Sequence, residues 1–88
     1  MDNIEIKLPE GKAAEIRERA HAITQEAAEG GVHIVAVEKH GVLVGTITGK
    51  ITGSFTLTDM TLRVTITDKP LLATIWMIES KIRGYFRI

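Results

Sequence analysis

Three histidines are the side chains in this 88-residue chain best suited to metal binding or proton transfer. His21 falls on the polar side of a predicted helix, His33 in a predicted strand and His40 in a predicted turn. Their spacing matches no zinc motif, and no reliable third ligand lies near any of them in the sequence. We therefore expect no metal site and no cofactor, and we interpret the histidines as surface residues.

Hydroxyl and acidic side chains show no catalytic arrangement either. Ser54 and the threonines alternate outward along predicted strands, and Ser80 lies on a predicted helix, so no hydroxyl is set beside a general base. The chain contains no cysteine, which excludes a disulfide framework and a thiolate nucleophile. The sequence favours a protein that is not an enzyme, because an enzyme would need a pocket that joins His33 or His40 to an acid.

The glycine-rich stretches at 41–45 and 49–52 resemble nucleotide-binding loops in composition alone. A phosphate-binding loop leads into the N-terminus of a helix, whereas these glycines lie between predicted strands. The 11 Lys+Arg balance 11 Asp+Glu, so the formal net charge is zero. Binding to nucleic acid or to an anionic membrane lacks the basic excess that it needs.

The composition suits one small globular domain that spans residues 1–88. Its hydrophobic fraction of 44% is too high for a disordered chain. No apolar run approaches the roughly 20 residues of a membrane-spanning helix, and the polar residues at 1–5 lack the features of a signal peptide. We expect a cytoplasmic protein.

Periodicity predicts the first two elements. Apolar and charged residues alternate over 3–8, which predicts a half-buried strand. From 12 to 29 the apolar residues recur at helical spacing, and Gly30-Gly31 follows as a C-cap in the left-handed region. The apolar stripe of this helix is mostly alanine, so we expect the helix to lie flat on a sheet.

A final helix is predicted from Pro70 to Gly84. Asp68 and Lys69 precede it as cap and linker, and Pro70 suits the first helical position. Its core stripe is predicted to contain Leu71, Ile75, Ile78 and Ile82, extended by Tyr85 and Phe86.

The first hairpin is predicted to turn at His40-Gly41. If these two residues form the whole loop, Ala36 faces Gly45 and the even-numbered residues of the strand at 32–39 lie on the core face. A three-residue loop would exchange the two faces of the hairpin.

One alternating phase persists from residue 43 to residue 58, with Gly45, Gly49 and Gly53 on the same side. An unbroken strand of this length is too long for a small domain. We expect two strands, or one coiled strand, with a bend or bulge near 49–53.

A second hairpin is predicted at 59–60, which sets Leu57 opposite Leu62 and Phe55 opposite Val64 on the core face. The resulting order of elements is β-α-β-β-β-β-α. We expect an α+β fold in which a curved antiparallel sheet carries both helices on one face.

Two groups of apolar residues remain outside this predicted core, one on the final helix and one on the outer face of the first hairpin. Contiguous exposed apolar patches mark interaction sites, so we interpret both groups as an interface, favour a homodimer and expect Trp76 to be its anchor. The candidate interface residues are Trp76, Leu72, Met77, Val35, Val37, Val42 and Val44. The alternatives are that sheet curvature or the C-terminal tail covers them, or that they bind a hydrophobic ligand or polymer.

The segment GSFTLTDMTLRVTI at 53–66 is followed by Pro-Leu-Leu at 70–72 and by a helix with Ile-Glu at 78–79 and Ile82. This pattern, strongest over 53–82, resembles the small polyhydroxyalkanoic acid system proteins of bacteria. In that family a short strand and a charged helix precede a glycine-led hairpin, and a Leu-Leu helix closes the chain. The resemblance implies an accessory role at polyester storage granules and provides no catalytic residues.

This chain departs from that family in two respects, because its second helix is more apolar and its glycine series is longer. The order of strands and helices also looks like a cut-down helix-grip fold of the lipid-binding kind. A small carrier of a hydrophobic ligand is therefore the alternative function, although a chain of this length would need a dimer to build a closed cavity.

Overall fold

The computed structural model describes residues 2–88 as eight secondary-structure elements. They are β1 (Asp2–Lys7), α1 (Lys12–Glu18), α2 (Ala20–Glu29), β2 (Val32–Lys39), β3 (Val42–Gly49), β4 (Thr52–Leu57), β5 (Thr61–Asp68) and α3 (Ile75–Phe86). The strands form one antiparallel sheet in the order β1-β5-β4-β3-β2, which confirms the predicted α+β class. Among residues 2–88, no helix has the length and apolar character of a membrane span.

One face of the sheet packs against the helices, as predicted, and the other face is bare within the part of the chain that the structure describes. The rings of Phe55 on β4 and Phe86 on α3 meet edge to face with their centroids 6.2 Å apart, which joins the last helix to the sheet. The single core unites Ile4, Ile6, Ile47, Leu57, Leu62, Val64 and Ile66 of the sheet with Ala13, Ile16, Ile23, Ala27, Ile78 and Ile82 of the helices.

The helix predicted over 12–29 is interrupted, so the prediction of one continuous helix is wrong. Arg19 has φ of −96° and ψ of 8° and separates α1 from α2. Its amide is shared between the carbonyls of Glu15 and Ile16, at 3.0 and 3.2 Å, which tightens the turn. The two helical pieces both keep their apolar stripe in the core, since Ile16 and Ile23 are each buried.

The first hairpin has the predicted two-residue turn, and the three-residue alternative is wrong. His40 and Gly41 have φ angles of 53° and 80°, the left-handed values that a type I′ turn requires. Ala36 therefore pairs with Gly45.

The alternating stretch at 43–58 consists of two antiparallel strands. β3 ends at Gly49, the chain reverses through residues 50–51, and Ile47 pairs with Gly53. The break falls where the glycines predict it, but it is a full reversal and not a bend. The sequence left this choice open because the reversal keeps the same alternate side chains on the core face.

The second hairpin also has the predicted register, with Leu57 opposite Leu62. The amide of Thr58 donates to the carbonyl of Thr61 over 2.9 Å. The amide of Thr61 donates to the hydroxyl of Thr58 over 3.2 Å. These two bonds close the turn without a glycine.

The last helix begins later than predicted, at Ile75, because Thr74 is its N-cap. Thr74 is extended, and its hydroxyl accepts a hydrogen bond from the amide of Met77 over 3.2 Å. Leu71, which the sequence predicts to be in the core stripe, lies outside the helix and is exposed. At its other end the helix continues beyond Gly84 to residue 86.

Gly53→Ala is expected to destabilise the fold by about 1–3 kcal/mol, as overpacking does. A Cβ at position 53 would overlap the backbone carbonyl oxygen of Thr65 on β5, an atom that the sheet holds in place. Gly84→Ala is the matched control, because a Cβ there meets nothing within 4 Å. In a helix this change stabilises by about 0.5–1 kcal/mol. Urea unfolding measures both, and a Gly53→Ala variant as stable as the wild type would contradict the close approach of β4 and β5.

Candidate functional site: two exposed apolar surfaces

A tight turn between β5 and α3 projects two leucines into solvent. The amide of Ala73 donates to the carbonyl of Pro70 over 3.0 Å, which places Leu71 and Leu72 at the two central positions of the turn. Their exposed fractions are 96% and 91%. Gly, Pro, Asn, Asp and Ser dominate such positions, so turn formation does not explain two adjacent leucines.

This turn is held in place on both sides. The ammonium group of Lys69 donates to the carbonyl of Ala73 over 2.8 Å, and Ala73 and Ile75 pack against the core. Helix α3 follows at once, and its first turn carries Trp76 and Met77 with exposed fractions of 83% and 54%. We call these four exposed residues the C-terminal apolar surface: Leu71, Leu72, Trp76 and Met77.

A shallow groove lies beside the C-terminal apolar surface and shares Met77 with it. Its lining is mostly apolar and includes Val32 and Ile51, with Lys50 and Lys81 among its other residues. Its volume is about 90 Å³. Pockets that enclose a small-molecule ligand have roughly 300–1,000 Å³, so this groove takes a single apolar group and not a whole ligand.

The second apolar surface lies on the bare face of the sheet, on β2 and β3. Val35 and Val37 are 66% and 58% exposed, Val44 is exposed and Val42 is half-buried. We call these four residues the valine surface. The structure therefore divides the predicted interface in two, since the C-terminal apolar surface belongs to the helix-bearing side.

Leu71 is the one residue of these two surfaces that the sequence predicts to lie in the core. Two helix-start signals compete within a few residues, because proline favours the first helical position and threonine favours the N-cap. The signal at Thr74 identifies the true start. The helix therefore begins after Leu71 and Leu72, and both leucines belong to the turn that precedes it.

The histidines that an enzyme would need do not meet an acid. His33 on β2 and His40 in the following turn are both exposed, and neither forms an ion pair with a carboxylate within the part of the chain that the structure describes. Residues 2–88 also hold no group of three or more His, Cys, Asp or Glu placed to bind a metal ion.

Comparisons with known proteins do not identify a relative that would explain the two surfaces. No family model, no curated protein and no solved structure matches this chain.

Trp76→Ala is expected to leave the free energy of unfolding within about 0.5 kcal/mol of the wild-type value, because the side chain is exposed. Ile78→Ala is the matched variant on the same helix. Ile78 is 2% exposed, and its truncation is expected to cost about 2–5 kcal/mol. Urea unfolding followed by circular dichroism measures both. A loss in Trp76→Ala as large as that in Ile78→Ala would show that the indole is packed.

Proposed function

We propose that this protein is a non-enzymatic, self-associating binding module whose C-terminal apolar surface attaches it to polyester granules. The observation that carries the proposal is the exposed Leu71-Leu72 pair at the centre of a turn, with exposed Trp76 close behind it. The resemblance of residues 53–82 to the small polyhydroxyalkanoic acid system proteins supplies the polyester, and with it a bacterial cytoplasm as the location. A homodimer is the form that we propose.

Burial of the exposed side chains supplies the free energy of attachment. A leucine or a larger apolar side chain that leaves water contributes about 1.5–3 kcal/mol. Leu71, Leu72 and Trp76 together contribute roughly 4–9 kcal/mol before the cost of immobilising the protein. A contribution of this size supports reversible attachment by one copy.

The turn presents these side chains in a rigid form, which limits the entropy lost on attachment. The bond from Lys69 to the Ala73 carbonyl closes the turn, and the Thr74 cap fixes the start of α3. Leu71 and Leu72 therefore project from a scaffold that is already ordered, since Ala73 and the helix behind it pack on the core.

Three lysines lie near the apolar residues. Lys50 and Lys81 line the adjacent groove, and Lys69 precedes the turn. The nearby carboxylate of Glu79 is bound by Arg83 over 3.1 Å, so it does not offset these lysines. Lysine side chains bury their stems beside apolar material and keep the ammonium group in water, where it can donate to ester or carboxylate oxygens of a polyester.

A carrier of a small hydrophobic ligand is less well supported by this geometry. Such a carrier needs a cavity that encloses its ligand, and the groove of about 90 Å³ takes only a small apolar group. A flat or extended apolar phase contacts the projecting leucines and the tryptophan together. A polymer surface therefore fits the C-terminal apolar surface better than a small ligand does.

The attachment is tested by co-sedimentation of the protein with poly(3-hydroxybutyrate) particles. The wild type is expected to bind, and the double variant Leu71→Ser, Leu72→Ser is expected to bind at least about 100-fold more weakly, since it loses about 3 kcal/mol of burial. Met60→Ser is the control, because Met60 is 61% exposed but lies at the β4–β5 turn. Failure of the wild type to bind, or an equal loss in Met60→Ser, would contradict the proposal.

A further inference from the structure

We propose that β2 pairs antiparallel with β2 of a second copy, so that the two five-stranded sheets join into one continuous sheet. This inference names the interface for the self-association in the proposed function and rests on that part of it alone. It does not depend on what the C-terminal apolar surface binds.

The free edge of β2 offers unpaired backbone groups. Lys39 and Val42 flank the two-residue turn and form a hydrogen-bonded pair, and the pairs alternate along an antiparallel ladder. The odd-numbered residues of β2 therefore direct their backbone groups to β3, and the even-numbered residues direct theirs outward. Ile34, Ala36 and Glu38 present these outward groups, and no backbone hydrogen bond from outside the sheet reaches them in residues 2–88.

From Val35 to Lys39, the side chains of β2 are exposed on both faces of the sheet. On the bare face Val35 and Val37 are largely exposed. On the helix-bearing face, burial falls along the strand from Val32, which is buried, through Ile34, which is half-buried, to Ala36, which is exposed. A strand laid along this edge would cover apolar side chains on both faces at once.

The opposite edge of the sheet is protected, whereas this one is not. β1 carries Asp2, Glu5 and Lys7 within six residues, and Glu5 pairs with Arg63 over 3.2 Å. β2 has no charged residue before Glu38, no proline, and no irregularity in its pairing with β3. Sheets protect exposed edges with charges, proline or bulges, so an edge that has none of them from Val32 to Val37 is typical of one that receives another strand.

A second copy of the chain fits the free edge of β2 by symmetry. An antiparallel pair about a two-fold axis makes the same strand edge its own complement. The register of longest overlap places Val35 on the axis, Ile34 opposite Ala36 of the second copy, and Val32 opposite Glu38 of the second copy. It forms about eight hydrogen bonds between the outward backbone groups and sets no like charges opposite each other.

This pairing also fixes how the faces of the two copies are placed. The two-fold axis of an antiparallel strand pair is perpendicular to the sheet, so both helix layers lie on the same side. The valine surfaces of the two copies become continuous on the opposite side.

Val35→Cys tests the register, in a chain that has no cysteine of its own. Val35 and its counterpart form a non-hydrogen-bonded pair with Cα atoms about 4.5 Å apart, which is within the range of a disulfide. Oxidation is expected to convert most of this variant into a covalent dimer. Ser54→Cys is the control, because Ser54 is exposed on the same face but lies on central strand β4. Equal cross-linking of the two variants would overturn the register.

Sedimentation velocity at micromolar concentration tests whether the free edge of β2 forms the dimer. The wild type and Trp76→Ala are expected to be dimers. Ala36→Pro removes an outward amide and leaves the β2–β3 ladder intact, so its dimer dissociation constant is expected to rise at least about tenfold. Val35→Lys sets two like charges together on the axis and is expected to have the same effect, which keeps the test valid if Ala36→Pro does not fold.

The outcomes separate this inference from the proposed function. A monomeric wild type would overturn both the edge pairing and the self-association, and particle binding would still be judged by its own assay. A wild-type dimer that persists in Ala36→Pro and in Val35→Lys would overturn the edge pairing alone. Loss of the dimer in Trp76→Ala would place the interface at the C-terminal apolar surface and would also overturn the edge pairing.

Discussion

Helix packing against one face of the sheet is the interaction on which the rest of this molecule depends. The chain of 88 residues builds one core, in which the buried stripes of three helices meet the inner face of five strands. The edge-to-face contact of Phe55 with Phe86 joins the last helix to the middle of that sheet. Within residues 2–88, no element covers the outer face of the sheet.

The exposed apolar residues lie where this single core ends. Ala73 and Ile75 pack against the core and hold the turn beside them, so Leu71 and Leu72 project from a rigid base. At the other boundary, helix cover declines along β2 and leaves Val35, Ala36 and Val37 exposed. The exposed turn and the free edge of β2 lie at different places in the fold, so the proposed granule contact and the proposed pairing with a second copy use different residues.

Turn chemistry made the strand registers predictable, whereas competing signals misplaced the helices. His40-Gly41 accepts left-handed backbone angles that define a two-residue loop, and that loop determines every pair along β2 and β3. The start of α3 was predicted wrongly because Pro70 and Thr74 both suit a helix N-terminus. The break at Arg19 was missed because it leaves the helical spacing of the apolar stripe unchanged.

The sequence by itself determined the α+β order, the hairpin registers and the identity of nearly all the surplus apolar residues, because alternation, helical periodicity and turn residues act over short distances along the chain. Only the tertiary structure decided that the stretch at 43–58 reverses, that Leu71 is exposed, and that the valines and Trp76 belong to separate surfaces. These outcomes depend on which face the helices cover and which strand is left at the edge. Both follow from packing between segments distant in the chain, which no local pattern records.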